Sequence, residues 1–124
     1  MDNQITKPDV SIQRFALAIL AVLLAVVLAG FGVYQFRHSD PYVQSVLSLE
    51  GSATQGRFIF QMNCSSCHGP YGDGQVGPSL RHVSTRKSRV GLIQQVISGK
   101  TPPMPQFQPT PQEMADLLKY LESL

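Results

Sequence analysis

Between Arg14 and Arg37 the sequence carries no charged side chain. Phe15 to Phe36 is a run of about 22 residues, which at 1.5 Å rise makes roughly 33 Å of helix, enough to cross the hydrocarbon core of a bilayer. No other feature narrows the architecture as much. It divides the chain into an N-terminal segment (1–14), a membrane-spanning helix (15–36) and a polar remainder. Arg14 and Arg37 can reach the two interfaces by snorkelling, and Tyr34 stands where an aromatic belt residue would. The competing reading is a cleaved secretory signal, for which Val27-Leu28-Ala29 would be a weak processing site. The apolar run continues through Phe31, Val33 and Phe36, beyond the length of a signal, so a retained anchor is expected. Flanking charge does not orient it. Lys7 and Arg14 are offset by Asp2 and Asp9, against Arg37 and Arg57 on the other side.

The remainder is small for a hydrophobic core of its own. Its chemistry is stated in one place, Cys64-Ser65-Ser66-Cys67-His68. A C-x-x-C-H run is the attachment pattern of a c-type haem. Two cysteines three apart on a helical turn present their sulfurs on one side. Each can form a thioether to a vinyl group, and the histidine that follows offers an imidazole nitrogen to the iron. A covalently held apolar macrocycle would also supply core that the side chains lack. Three other readings stand beside this one. A thioredoxin-like C-x-x-C would want a βαβ context. A structural zinc site needs a fourth ligand from His38, His82 or a carboxylate, none at zinc-finger spacing. The third is a chance pentapeptide with inert thiols. The chain has only these 2 cysteines, which leaves none for a disulfide framework, and its net charge of +2 gives no reason to expect nucleic acid.

Start and stop signals outline an all-α domain. Asp40 before Pro41 is a helix start, and Val43, Val46 and Leu47 share a face. The linker (37–50) is read either as carrying a short amphipathic helix over 41–48, which could rest on the membrane interface, or as merely extended. The haem domain is expected over 51–124. Its first helix should run from Ala53 to Cys64, with Phe58, Phe60 and Met62 as bulky members and Gly56 marking a close approach. Glycines and prolines from Gly69 to Leu80 preclude regular structure. Ser88 to Ser98 reads as a helix capped by Ser88 and stopped at Gly99, with Val90, Ile93 and Ile97 on one face. Thr110, Pro111 and Glu113 form a capping box, followed by Met114, Leu117, Leu118 and Leu121 at helical spacing.

A haem iron has a second axial position, for which Met62, Met104, Met114, His38 and His82 are the candidates. Met62 lies two residues before Cys64, on the helix entering the His68 side. Met114 sits on an apolar helix face, where core packing is the better explanation. Met104 stands among Pro102, Pro103 and Pro105, which suits a rigidly held thioether and not a core side chain.

These residues resemble the class I c-type cytochromes. The shared pattern covers Gly51 to Leu124: Gly56-x-x-x-Phe60, Cys64-Ser65-Ser66-Cys67-His68-Gly69, Gly77-Pro78-Ser79-Leu80, the proline-flanked Met104 and a final helix with Tyr120. The resemblance implies one covalent haem c, first and last helices crossing at Gly56, Phe60 and Tyr120, and a Pro78 carbonyl that orients His68. A nearer resemblance, over most of the chain, is to the cyanobacterial cytochrome M group. It rests on the N-terminal helix, on Asp40 to Gly51 and on Thr101-Pro102-Pro103-Met104-Pro105. It implies a thylakoid or plasma membrane of a photosynthetic bacterium, with roles in photosynthesis or respiration. Since c-type haem is attached on the non-cytoplasmic side, the haem domain is expected on the lumenal or periplasmic side and residues 1–14 in the cytoplasm.

The expected function is that of a membrane-anchored electron carrier with His68/Met104 ligation, not an enzyme, passing single electrons between membrane redox complexes or soluble carriers. The alternatives are a haem subunit fixed in a larger oxidoreductase, and a ligand-binding or peroxidase-like haem. Arg81, His82, Arg86, Lys87 and Arg89 form a basic stretch, read either as a solvated connector or as a docking patch for an acidic partner.

Overall fold

The helix that closes the chain is also the one its sequence specifies most fully. In the computed structural model, which describes residues 10–38 and 40–124, α7 spans Pro111–Glu122. The Thr110 hydroxyl accepts from the Glu113 backbone N–H, and the Glu113 carboxylate accepts in return from the Thr110 N–H at 2.8 Å. Both orphan donors at the helix start are thereby satisfied. Met114, Leu117 and Leu118 are fully buried and Leu121 nearly so.

Seven helices and no strands are found among the described residues. The chain forms two units, one ending at Arg37 and one beginning at His38. The first holds all but the last residue of α1 (Val10–His38), a helix of 29 residues, roughly 44 Å long. It is longer than the expected 15–36 span, and it is the one described helix long and apolar enough to cross a membrane. Residues 1–9 of the expected N-terminal segment, and the side chains of Arg37 and His38, lie outside the described residues.

The second unit is built on the crossing of α3 (Ala53–Asn63) with α7. A Cβ on Gly56 would stand 2.6 Å from the Asp116 carbonyl carbon and 2.8 Å from Tyr120 Cβ, so only glycine lets the two backbones meet there. One turn on, Phe60 is fully buried, its ring centroid 5.3 Å from that of Tyr120. Phe58 and Met62 face solvent from the same helix. Asp116, itself buried, accepts from the Ser52 N–H at 2.7 Å and from the Gln112 amide at 3.1 Å, which pins the start of α3 to α7.

Within the segment 37–50, expected as a linker or a short amphipathic helix, Pro41–Ser48 is helical. Helix α2 (Pro41–Ser48) starts at Asp40, whose side chain accepts from the Tyr42 N–H. Val43 and Val46 are fully buried in the common core, and α2 packs on α7 and on α6 (Arg89–Ser98). Its apolar face is therefore satisfied by protein and is not presented to a membrane interface. The Tyr42 hydroxyl donates to the Pro109 carbonyl at 2.9 Å. Burial, then Glu113 and Asp40, raises this phenol above its ordinary range, so it remains a donor. Between these elements lie the single turns α4 (Ser65–His68) and α5 (Val83–Arg86). The capping of α6 by Ser88 and Gly99 is as its sequence predicts. Its buried residues are Leu92, Ile93 and Val96, with Val90 and Ile97 half-buried.

Candidate haem site

The motif straddles a helix break. Helix α3 ends at Asn63 instead of Cys64, and Cys64 becomes the N-cap of α4. Its carbonyl accepts from the N–H of Cys67 at 3.2 Å and of His68 at 3.0 Å. Cys64 and Cys67 thus frame one turn, both half-buried and both free thiols. Burial, with a smaller contribution from Cys67, pushes the Cys64 thiol up to about 11. The absence of strands among the described residues removes the βαβ context that a thioredoxin-like dithiol would want. Among those residues no group of three or more His, Cys, Asp or Glu side chains is placed to hold a metal ion.

The glycine-rich loop explains how His68 is set. It doubles back on α4: Gly74 N–H donates to the His68 carbonyl at 2.8 Å and Gly77 N–H to the Cys67 carbonyl at 2.7 Å. These bonds satisfy the end of the short helix and bring Gly77 against the imidazole. A Cβ there would lie 2.6 Å from Cε1 and 2.8 Å from Nδ1 of His68, so any larger residue would displace the ring. The next carbonyl, Pro78, stands 2.8 Å from His68 Nδ1. A carbonyl only accepts, so Nδ1 carries the proton, and the lone pair of the neutral ring is on Nε2.

The axial-ligand candidates separate by environment. Met114 is fully buried in the core and Met62 is 78% exposed. His82, exposed, occupies the left-handed region (φ 52) as N-cap of α5. Met104 is half-buried in the segment between α6 and α7, with exposed prolines on either side. Its N–H donates to the Thr101 carbonyl at 2.9 Å, and its Sδ accepts from Gln95 Nε2 at 3.8 Å. Hydrogen bonding joins Cys64, Cys67, His68 and Pro78 into one cluster, while Met104 is held by α6 and its own turn. Cys64, Leu80, Val90, Ile97 and Met104 each pack half-buried against the core. A neutral imidazole Nε2, two half-buried thiols and a thioether suit haem iron and its vinyl groups. Sequence reasoning missed Gln95, which belongs to no motif and is marked only by its spacing to Met104.

The basic stretch is tied to its own domain. Arg81 Nε pairs with Asp73 at 2.8 Å and Arg89 Nε with Glu122 at 2.9 Å. Arg86 Nη2 donates to the carbonyls of Ser79 (3.0 Å) and Arg81 (2.9 Å), closing the loop between the haem motif and α5.

Residues 51–121 match the family described as "Cytochrome C oxidase, cbb3-type, subunit III". Over 105 residues the chain is 53% identical to the "Cytochrome c-553-like" protein of Synechocystis sp. (strain ATCC 27184 / PCC 6803 / Kazusa), an alignment covering 85% of this chain and 100% of that protein. Among solved structures it is similar to cytochrome cL from Hyphomicrobium denitrificans, with a TM-score of 0.50 and 28% identity over 72% of this chain; it spans 55% of that longer chain. The helical fold, the motif and these relatives agree: the chain belongs to the class I c-type cytochromes of the cyanobacterial type, a monohaem electron carrier, not an enzyme, whose cofactor is haem c.

Proposed function

We propose that Cys64 and Cys67 hold the haem through thioethers, with His68 Nε2 and Met104 Sδ as axial donors. The carrier is anchored by α1, with its haem domain on the lumenal or periplasmic side of a thylakoid or plasma membrane. There it passes single electrons between membrane redox complexes or soluble carriers in photosynthesis or respiration. The observation that carries this reading is the 2.8 Å bond from His68 Nδ1 to the Pro78 carbonyl. It leaves Nε2 as the donor nitrogen and raises its basicity.

Bound haem supplies a one-electron Fe(III)/Fe(II) couple. The chain's residues determine where that couple lies. The Met104 thioether is a soft donor that favours the ferrous state and raises the potential relative to two histidines. A haem ring buried against apolar side chains would further penalise the ferric charge. Arg81, Arg86, Lys87 and Arg89 remain exposed although three of them also serve the fold, and they offer an acidic partner a cationic face.

Denaturing electrophoresis with peroxidase staining tests attachment: the wild-type chain should retain its haem, and Cys64→Ala with Cys67→Ala should lose it. Optical spectroscopy tests ligation. The ferric protein should show the weak far-red sulfur-to-iron band, and Met104→Ala should lose that band and bind carbon monoxide when reduced. A wild type that binds carbon monoxide freely would favour the ligand-binding reading instead.

A second reading, a haem subunit fixed in a larger oxidoreductase, is favoured by the family description, which names an oxidase subunit. Native electrophoresis after mild detergent separates the two. A carrier migrates alone, whereas a subunit comigrates with its complex.

A further inference from the structure

Helix α7 gives the haem domain two ends of different charge. The chain from α1 arrives at its N-terminal end. There Asp40 caps α2, Tyr42 donates to the Pro109 carbonyl at 2.9 Å, and the Gln112 amide donates to the Glu50 carbonyl at 3.0 Å. Asp40, Glu50 and Glu113 therefore gather at this end. At the other end, roughly 18 Å away along the helix, Glu122 pairs with Arg89 at 2.9 Å. A Cβ on Gly72 would stand 2.9 Å from Leu124 Cδ1, which places the loop that folds over His68 there as well. Asp73, next in that loop, pairs with Arg81 at 2.8 Å, and Arg86 donates to the carbonyls of Ser79 and Arg81. Helix α6 runs the opposite way. Arg89 begins it at the cationic end, and near its close the carbonyls of Val96 and Ile97 accept from Phe107 and Gln106, with Lys100 just beyond.

Arg86 and Lys87 have no carboxylate partner among the described residues, so positive charge is in excess at the far end. The loop over His68 also exposes Tyr71 and Val76. Aromatic and apolar side chains beside arginines are the composition of a protein interface, whereas attraction to an anionic bilayer needs only positive charge. We propose that the end carrying Arg81, Arg86, Lys87 and Arg89 docks an acidic partner protein approaching from the aqueous phase, and does not serve to hold anionic lipid. This rests on the reading of the chain as an electron carrier anchored by α1, and it names the kind of partner its cationic face serves. Because the anchor joins the domain at the carboxylate end, lipid charge has little to attract there, while the opposite end steers the acidic protein.

The test uses ferric full-length holoprotein in lipid nanodiscs, reduced in a stopped flow by an acidic [2Fe–2S] ferredoxin, a probe chosen for its charge. Lys87 and Lys100 are both exposed. Lys87→Glu should slow reduction about threefold or more at low ionic strength, and the gap should close toward about 1 M salt, where charges are screened within about 3 Å. Lys100→Glu makes the same change of net charge at the other end and should slow it much less. Equal slowing by the two reversals would show that net charge alone acts and would overturn the inference. So would a Lys87→Glu effect present in phosphatidylcholine discs and lost in phosphatidylglycerol discs, since lipid would then cover the cationic end. Holoprotein that stays out of the discs would overturn the anchor reading instead, and the two reversals compared in solution would still decide whether the far end is the docking face.

Discussion

The crossing of α3 with α7 and the segment 101–109 hold their shapes by different means. At the crossing, order comes from contact. Gly56, Phe60, Asp116 and Leu117 are buried, and the backbones touch where only glycine fits. In the segment, order comes from hydrogen bonds to main-chain groups and from proline. Phe107 N–H donates to the Val96 carbonyl at 3.1 Å, the Gln106 amide to the Ile97 carbonyl at 2.9 Å, and Tyr42 to Pro109. Most of its side chains are exposed. Packing tolerates little change and carries stability, whereas a tied loop can lose one bond and keep its course. The stable crossing supports the cysteine motif, and the tied loop presents the methionine.

The sharpest way to break this contrast is Gly56→Val. The new side chain meets main chain that cannot yield, so we expect a loss of about 3 kcal/mol or more, read as a depressed melting temperature and poor recovery of holoprotein. Tolerance of valine with less than 1 kcal/mol lost would show that the helices can part and that the crossing is no stiffer than the loop.

Tyr42→Phe probes the other region. It removes one hydrogen bond to the Pro109 carbonyl and should cost about 1 kcal/mol in the denaturant midpoint, with the far-red band unchanged. Loss of the band at that modest cost would mean the loop depends on each tie, contrary to the comparison.

The smallest effect concerns the hinge between the two regions, the Thr110–Glu113 capping box. Hydrogen bonds from the Thr110 backbone, then from its side chain, hold the Glu113 carboxyl below its ordinary range. A carboxylate depressed in the folded state contributes stability above its unfolded pKa and loses it as pH falls through the folded value. Glu113→Gln should therefore melt slightly below wild type at neutral pH, and the gap should close on acidification. A gap that widens in acid would mean the box is not held by the ionised carboxylate.

Much of the fold was legible because caps are local. Asp40-Pro41, Ser88 with Gly99, and Thr110-Pro111-Glu113 each specify a boundary through neighbours in sequence, and α2, α6 and α7 begin where those signals stand. What α2 packs against was not legible. Val43 and Val46 announce an apolar face, and the same periodicity would serve a membrane, a linker or a core. The single turn α5 was missed because its residues, Val-Ser-Thr-Arg, carry no helical periodicity. It is closed by contacts such as those of Arg86 with distant carbonyls. That Cys64, Cys67 and His68 lie on one turn was readable from their spacing, whereas the Pro78 carbonyl beside His68 was expected only from the family resemblance. Gln95 was not, because a glutamine becomes informative only when the atom it faces is known.

The burial of Val43 and Val46 also says where this chain can be cut. A fragment starting at Gly51, where the family pattern begins, would discard α2 and bare the apolar surfaces of α6 and α7 that it covers. It would also free the Pro109 carbonyl from Tyr42. Such a fragment would be expected to self-associate, since exposed apolar patches seek partners. A water-soluble version for solution work should start at Asp40, the N-cap of α2, which keeps the covered core and sheds the apolar helix together with the segment before it.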